Sequence, residues 1–480
     1  MKLFLIGWDG VGGDLVEVAQ GLKNRGHKIL YWTKVMKDFQ GYQDQFEGTI
    51  FHDIYDALLA KPAKGIDYSK FTLPNEDFLK NLNETELMTL TMMGKKFDYM
   101  NVNERRHLYA DMVRYWYGVI DKLKPEMIIF PMTPHTVYDF VIYGLAKLLK
   151  IRVFMFDTPW IGDRLLSMHD YKTGSDALAT ALMQNKGRKF SVDDLSVESK
   201  EYFLRQTVKK IDATPLYMKN HAKAYSKFNV FKKKVRLIYA SILDLSIFAK
   251  TWQYIYKNFQ KNIRDEYLSA QSQPDFNENF VYVALHYQPE QTTAPLGGLF
   301  VDQILMIETL AEAMPDGYQL YVKEHPTQWL PRGLNYFSYR YRGYYKKIAS
   351  IKNVKLVPLE TDTFILINKS KAVATVTGTV AIEAAFRGKG ALVFGFPWFQ
   401  HMPGIIKVGN FEDTRAAFMK IINGFKATHE EMLNFLASFD TVSFNGYLDP
   451  YGRQISKITN IENVTNILNA LVTEIHRNKL

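Results

Sequence analysis

The sequence predicts an α/β protein made of two doubly wound halves that face a cleft, with a basic helical insertion between them. Three observations predict it. Apolar strand patterns alternate with helical ones near both ends of the chain, a lysine-rich stretch without strand signal separates the two alternating regions, and three polar clusters each follow directly on an apolar run in the second region. The 480 residues, 47% of them apolar, are more than one core accommodates and suit two domains with additions.

The first half opens with Lys2–Gly7 as a strand, continues through Asp9-Gly10-Val11-Gly12-Gly13-Asp14 into a helical pattern ending at Leu22, and returns to a strand at Gly26–Trp32. This is a βαβ unit with a right-handed crossover. Glycines at its turn let the backbone approach a ligand and leave N–H groups open at a helix start, although the spacing is neither GxGxxG nor a P-loop. Gly12 and Gly13 are therefore candidate acceptor contacts, with a tight structural turn as the alternative. Residues 34–117 read as helix and loop without a cofactor signature. The sheet resumes at Met127–Pro131, Thr133-Pro134-His135-Thr136 opens a helix through Leu149, and Val153–Asp157 is another strand. His135 and Asp157 stand at carboxyl ends of strands, where open sheets bind ligands, and are candidate acceptor contacts. A loop residue with a structural hydrogen bond is the competing reading for each. These elements define a first Rossmann-like domain at 1–171.

The pattern then changes to lysine-rich and aromatic-rich helices at 172–273. The net charge of +10 is concentrated there: residues 209–264 carry thirteen Lys or Arg against Asp212 and Asp244, which is 13 − 2 = +11 and leaves −1 for the remainder. Within this stretch Val235–Phe248 is apolar around most of its circumference and is flanked by Lys232, Lys233, Lys234, Lys250 and Trp252. That composition suits contact with an anionic membrane surface through 209–264, with a buried helix and solvated basic ends as the alternative. No nucleic-acid partner is expected, because no recognised binding fold accompanies the charge. No run of roughly 18 uncharged apolar residues occurs, and the opening apolar stretch is too short for a signal peptide. Zero cysteines exclude disulfides, thiolate metal sites and cysteine catalysis. The expected location is cytoplasmic, with peripheral attachment to the inner face of the cytoplasmic membrane.

A second Rossmann-like domain is expected at 274–410 and C-terminal helices at 411–480, near Glu412–Phe425 and Ile461–Arg477, the last packing back on the first half. The three polar clusters follow Val281–Leu285, Tyr318–Val322 and Ala372–Val376 and converge on one crevice if these strands are neighbours. His325, fixed by Pro326, offers an imidazole donor to a phosphate, and Lys323 lies two residues back on the same strand face. Thr377, Gly378 and Thr379 bring two hydroxyls and a permissive turn to a helix start, where amides and dipole favour an anion. Glu383, one turn further, can accept from ribose hydroxyls. The structural alternative makes the threonines N-caps and Glu383 a capping-box residue. Glu290 follows the first strand, where a carboxylate serves as nucleophile or base.

Leu285-His286-Tyr287-Gln288-Pro289-Glu290, Lys323-Glu324-His325-Pro326, and Thr377-Gly378-Thr379 through Glu383-Ala384 resemble bacterial capsule and surface-polysaccharide biosynthesis glycosyltransferases. The likeness covers Phe280–Phe399 well, and Met1–Thr33 and Pro125–Tyr171 more loosely. His325-Pro326 is similar to the His-Pro motif of Kdo transferases and of bacterial sialyltransferases with CMP-activated donors, where the histidine contacts the donor phosphate. The resemblance implies the GT-B fold and metal-independent transfer of a sugar from a nucleotide-activated donor to a lipid-linked or growing glycan. It suggests CMP-Kdo or another CMP-linked 2-keto acid sugar. No cofactor is implied, and the lack of an Asp-x-Asp motif agrees with the lack of a metal.

The sequence departs from the sialyltransferase pattern in two places: its acidic-acidic-Gly motif is reduced to Trp8-Asp9-Gly10, and its serine pair is replaced by Thr377 and Thr379. Gln288 and Glu290 are similar to the Gln and downstream acid of Kdo transferase relatives, which favours Glu290 over Asp9 as the reacting carboxylate and counts Gln288 with the donor contacts. The alternatives are a UDP- or GDP-hexose transferase or a UDP-GlcNAc 2-epimerase-like enzyme, and, third, a non-catalytic glycan-assembly component.

Overall fold

The computed structural model describes residues 1–9, 14–36, 41–207, 263–329 and 339–477. Its first sheet contains β1 (Lys2–Leu5), β2 (Lys28–Lys34), β3 (Ile50–Asp53), β4 (Met127–Ile129), β5 (Arg152–Asp157) and β6 (Arg164–Met168), in the order β3-β2-β1-β4-β5-β6, all parallel except β6. Its second sheet contains β7 (Asn279–Ala284), β8 (Tyr318–Lys323), β9 (Val354–Leu356), β10 (Ala372–Thr375), β11 (Ala391–Val393) and β12 (Ile405–Lys407), wholly parallel in the order β12-β11-β10-β7-β8-β9. A last short strand, β13 (Phe444–Asn445), returns to the first sheet and pairs antiparallel with β6. In each sheet the chain winds outward from a central strand and then resumes on its other side. The switch points β1/β4 and β7/β10 are where adjoining loops part and leave a crevice. The architecture is the two doubly wound halves that the alternation predicts, in the GT-B-like arrangement that the resemblance implies.

The central strands β1, β4, β7 and β10 are buried and mostly apolar beyond their first residues, because helices cover both sheet faces. Alternate residues of the second sheet serve different layers. Val281, Val283, Leu320 and Val322 pack with Ile307 and Leu310 of the helix Gln303–Ala313, whereas Phe280, Tyr282 and Tyr321 face Ala381 and Phe386 of the helix Val380–Phe386. The sequence reading does not pick out β3, β6 or β13. β3 lies inside 34–117, which reads as helix and loop, β6 follows the last strand read in the first half, Val153–Asp157, and β13 lies inside a region read as helical. β3 and β13 are edge strands with mostly half-buried residues, and neither presents a continuous apolar run. The helix after β4 begins at Tyr138 and not at Thr136.

The final helix Asn460–His476 lies against the helix Asp14–Asn24, burying Ile467, Leu468 and Leu471 with Leu15 and Leu22. Arg152 at the start of β5 reaches Glu474 at 3.2 Å. The halves touch directly: the Tyr339 hydroxyl donates to the Thr91 carbonyl at 2.6 Å, Gln400 Nε2 donates to the Lys172 carbonyl at 3.1 Å, and the Tyr171 and Phe396 rings meet at 5.9 Å. Among the described residues no helix is long and apolar enough to cross a membrane. The apolar segment Val235–Phe248, with Lys232, Lys233 and Lys234, lies outside the described residues.

Candidate active site

Thr375, Ala284 and Lys323 stand in register across β10, β7 and β8, so the three polar clusters begin at one level on three adjacent strands. Their convergence follows from this register. His286 Nε2 accepts from the Thr377 backbone N–H at 3.0 Å and lies 3.0 Å from Thr375 Oγ1, joining the first cluster to the third. Burial, then the positive fields of His325 and Arg340, lower its pKa to about 3, so its imidazole is neutral and its ring proton sits on Nδ1. Gly378 packs against this ring: a Cβ there would come within 2.8 Å of Thr375 Oγ1 and 3.4 Å of His286 Cε1. That close approach requires the glycine.

The first and second clusters are joined by a buried polar network. All five guanidinium N–H groups of Arg340 are engaged, by both Glu324 carboxylate oxygens, by Gln288 Oε1 at 2.6 Å, and by the carbonyls of His286 at 2.9 Å and Tyr339 at 3.1 Å. Burial works against the charge of Arg340, and the adjacent Glu324 carboxylate overrides it and raises the pKa. Gln303 closes the network with bonds to Gln288 Oε1 and the His286 carbonyl and from the His286 N–H. The Gln288 side chain is bound on every side, since its Nε2 donates to the Val301 carbonyl at 2.8 Å. It positions the loop that leads to Glu290.

His325 follows the end of β8. Its Nδ1 accepts from the Thr327 N–H at 3.3 Å and lies 2.7 Å from Thr327 Oγ1, which places the ring proton on Nε2 as a donor. Its backbone N–H donates to Glu324 Oε1 at 2.7 Å. Lys323 turns toward the loop after β9, donating to the Thr361 carbonyl and to Thr363 Oγ1, and burial lowers its pKa against the pull of Asp362 and Glu360. Thr377 Oγ1 donates to the Thr292 carbonyl at 2.6 Å. Thr379 is the N-cap residue of Val380–Phe386 without a side-chain capping bond, and Glu383 sits past the capping-box position. Glu383 is buried, and its pKa rises to about 7 through burial, moderated by Arg387 and by a bond from Thr379.

Glu290 and His135, from opposite halves, line one small crevice with Met92, Lys95, Pro289 and Tyr339. His135 Nδ1 lies 2.9 Å from the Thr133 carbonyl, which only a protonated Nδ1 satisfies, so in the neutral ring Nε2 is the acceptor. Its backbone N–H donates to Asp139 Oδ2 at 3.2 Å, fixing the corner. Two other candidates lie apart from this crevice. Asp9 Oδ1 accepts from the Val35 N–H at 3.0 Å beyond β1, and Asp157 is half-buried at the end of β5, its pKa raised to about 6 by burial against the Thr158 N–H. Gly12 and Gly13 lie outside the described residues. His286, Gln303 and Arg340 are site residues that sequence reasoning missed. His286 sits within the first cluster and carried a signal, whereas Arg340, 16 residues after Glu324 in sequence, carried none.

The family described as capsule polysaccharide biosynthesis protein matches residues 169–436, more than half of the chain and nearly all of the second half. The chain belongs to this family. The match contains Glu290, His325, Arg340, Thr377 and Glu383 and ends before the final helix. No curated protein matches the sequence. Among solved structures, the chain is similar to a β-Kdo 2,4 transferase, KpsC of Thermosulfurimonas dismutans, with 13% identity and a TM-score of 0.35 over 72% of this chain and 87% of that one. It is also similar to the β-Kdo 2,7 transferase of the same protein, with 11% identity and a TM-score of 0.32 over 74% and 89%. A UDP-GlcNAc 2-epimerase from Methanocaldococcus jannaschii gives 14% identity and a TM-score of 0.26 over 91% and 97%. These scores select no reaction; the site of this capsule-biosynthesis protein rests on its own geometry.

Proposed function

We propose that this capsule-biosynthesis protein transfers a 2-keto acid sugar of the Kdo class from its CMP-activated form to a growing or lipid-linked capsule glycan. The observation that carries the reading is the placement of His325, whose Nε2–H is a donor at the carboxyl end of β8, beside the β7/β10 switch point where a sugar nucleotide fits this topology. In the transfer, the bond from the sugar's anomeric carbon to the phosphate oxygen breaks and CMP leaves, its phosphate stabilised by His325. Glu290 meets the anomeric centre from the cleft or takes the proton of the attacking hydroxyl. His135, across the crevice, orients that hydroxyl through Nε2. Glu383 faces the ribose. The reading assigns no step to a resident metal.

The test incubates purified protein with CMP-Kdo and capsule oligosaccharide and follows CMP release by chromatography, with and without EDTA. Release that survives EDTA and falls at least about a hundredfold in Glu290→Gln and His325→Ala supports the proposal. Release from UDP- or GDP-hexoses in place of CMP-Kdo would move the assignment to a hexosyltransferase.

A further inference from the structure

The loop between β5 and β6 holds Trp160 outward, 38% exposed, whereas Trp8, Trp32, Trp116 and Trp398 are buried. Its φ is +60°, a left-handed conformation that a bulky side chain adopts only at a steric cost. The surroundings hold it there. The Asp163 carboxylate accepts from Asn445 Nδ2 at 2.7 Å, from the Ser456 hydroxyl and from the Lys457 N–H at 3.3 Å, and the Gly446 N–H donates to the Asp163 carbonyl at 2.7 Å. Ile161 is fully buried in a core that also contains Tyr282, Val380 and Trp398 of the second half. The segment that anchors Asp163 also carries Tyr451, whose ring centroid lies 5.1 Å from that of Trp160 at an interplanar angle of 67°.

A fixed pair of aromatic rings therefore stands at the carboxyl edge of the first sheet, where its loop meets the second half, with Asp157 at the root of the same loop. An exposed ring offers a flat apolar surface to the C–H face of a pyranose. We propose that Trp160 and Tyr451 form a stacking subsite for a pyranose unit of the acceptor glycan, apart from the unit that receives the new sugar. This rests on the glycosyl-transfer reading and extends it to how the acceptor is held.

The test is isothermal titration calorimetry of the full chain with an oligosaccharide mixture from partial hydrolysis of the producing strain's capsule, beside titration with CMP. Trp160→Ala should weaken oligosaccharide binding about tenfold or more, Trp160→Phe less, and neither should change CMP binding. Tyr451→Ala carries the same test should Trp160→Ala fail to fold. Equal oligosaccharide affinity in folded Trp160→Ala overturns the subsite, as does wild-type protein that binds CMP and no oligosaccharide. Oligosaccharide binding that depends on Trp160 without any nucleotide binding upholds the subsite and removes the transferase reading.

Discussion

Arg340 and Glu324 form an ion pair whose side chains are 2% and 0% exposed, with Arg340 Nε 2.7 Å from Glu324 Oε2 and Nη2 3.1 Å from Oε1. The pair bridges the ends of β7 and β8, because Arg340 also binds Gln288 and the His286 carbonyl while Glu324 accepts from the His325 N–H and the Tyr345 hydroxyl. Its partners thus fix the chain on both sides of the proposed donor site.

Removing one member should leave the other charged and buried, so Arg340→Met is expected to destabilise the fold by roughly 3–5 kcal/mol. The double variant Arg340→Met, Glu324→Gln should lose less than the sum of the two single losses, because their interaction is removed once. Urea denaturation of the four proteins measures this. A single-variant loss within experimental error of zero would show that the pair does not anchor the site.

A pH dependence follows from Glu383, whose pKa rises from 4.5 to about 7 in the fold. Its raised value means the folded state holds the proton more tightly than the unfolded chain. The stability contribution is complete below about pH 4.5 and is lost as pH rises through about 7. Glu383→Gln cannot ionise, so its stability relative to wild type should increase across this window. Denaturation midpoints of both proteins at pH 5 and pH 8, analysed as a difference, are the measurement; a constant difference would contradict the assigned environment.

The basic stretch at 209–264 is a separate proposal, resting on the concentration of charge in the sequence. Charge reversal at Lys232, Lys233 and Lys234 should reduce co-sedimentation with anionic liposomes, more at low than at high salt. Unchanged sedimentation removes the membrane proposal and leaves the catalytic one intact.

The fold was readable from sequence wherever periodicity had length to act. The apolar runs match β7, β8 and β10 to within two residues, and the doubly wound pattern makes these strands neighbours, so the meeting of the three clusters follows from the sequence. β10, though only four residues long, was legible because all four are buried apolar or small, whereas the half-buried edge strands β3 and β13 present no such run. The site was readable in residue types more than in roles. Gln288 and Lys323 carry polar groups suited to a donor, yet their bonds to Arg340, Gln303, Thr361 and Thr363 show them holding loops together. Arg340 was invisible because its function depends on tertiary approach to Glu324, which no local pattern encodes. The pairing of His135 with Glu290 across the cleft depends likewise on how the halves meet.

The central claim is that a CMP-activated sugar sits against His325. A thermal-shift titration with CMP, UDP and GDP tests it, because a ligand selective for the folded state stabilises it by about 2.7 kcal/mol at a hundredfold excess over its dissociation constant. The account predicts a rise in melting temperature with CMP that UDP and GDP do not match and that disappears in His325→Ala. A response to UDP or GDP alone, or a CMP response unchanged in His325→Ala, would contradict it.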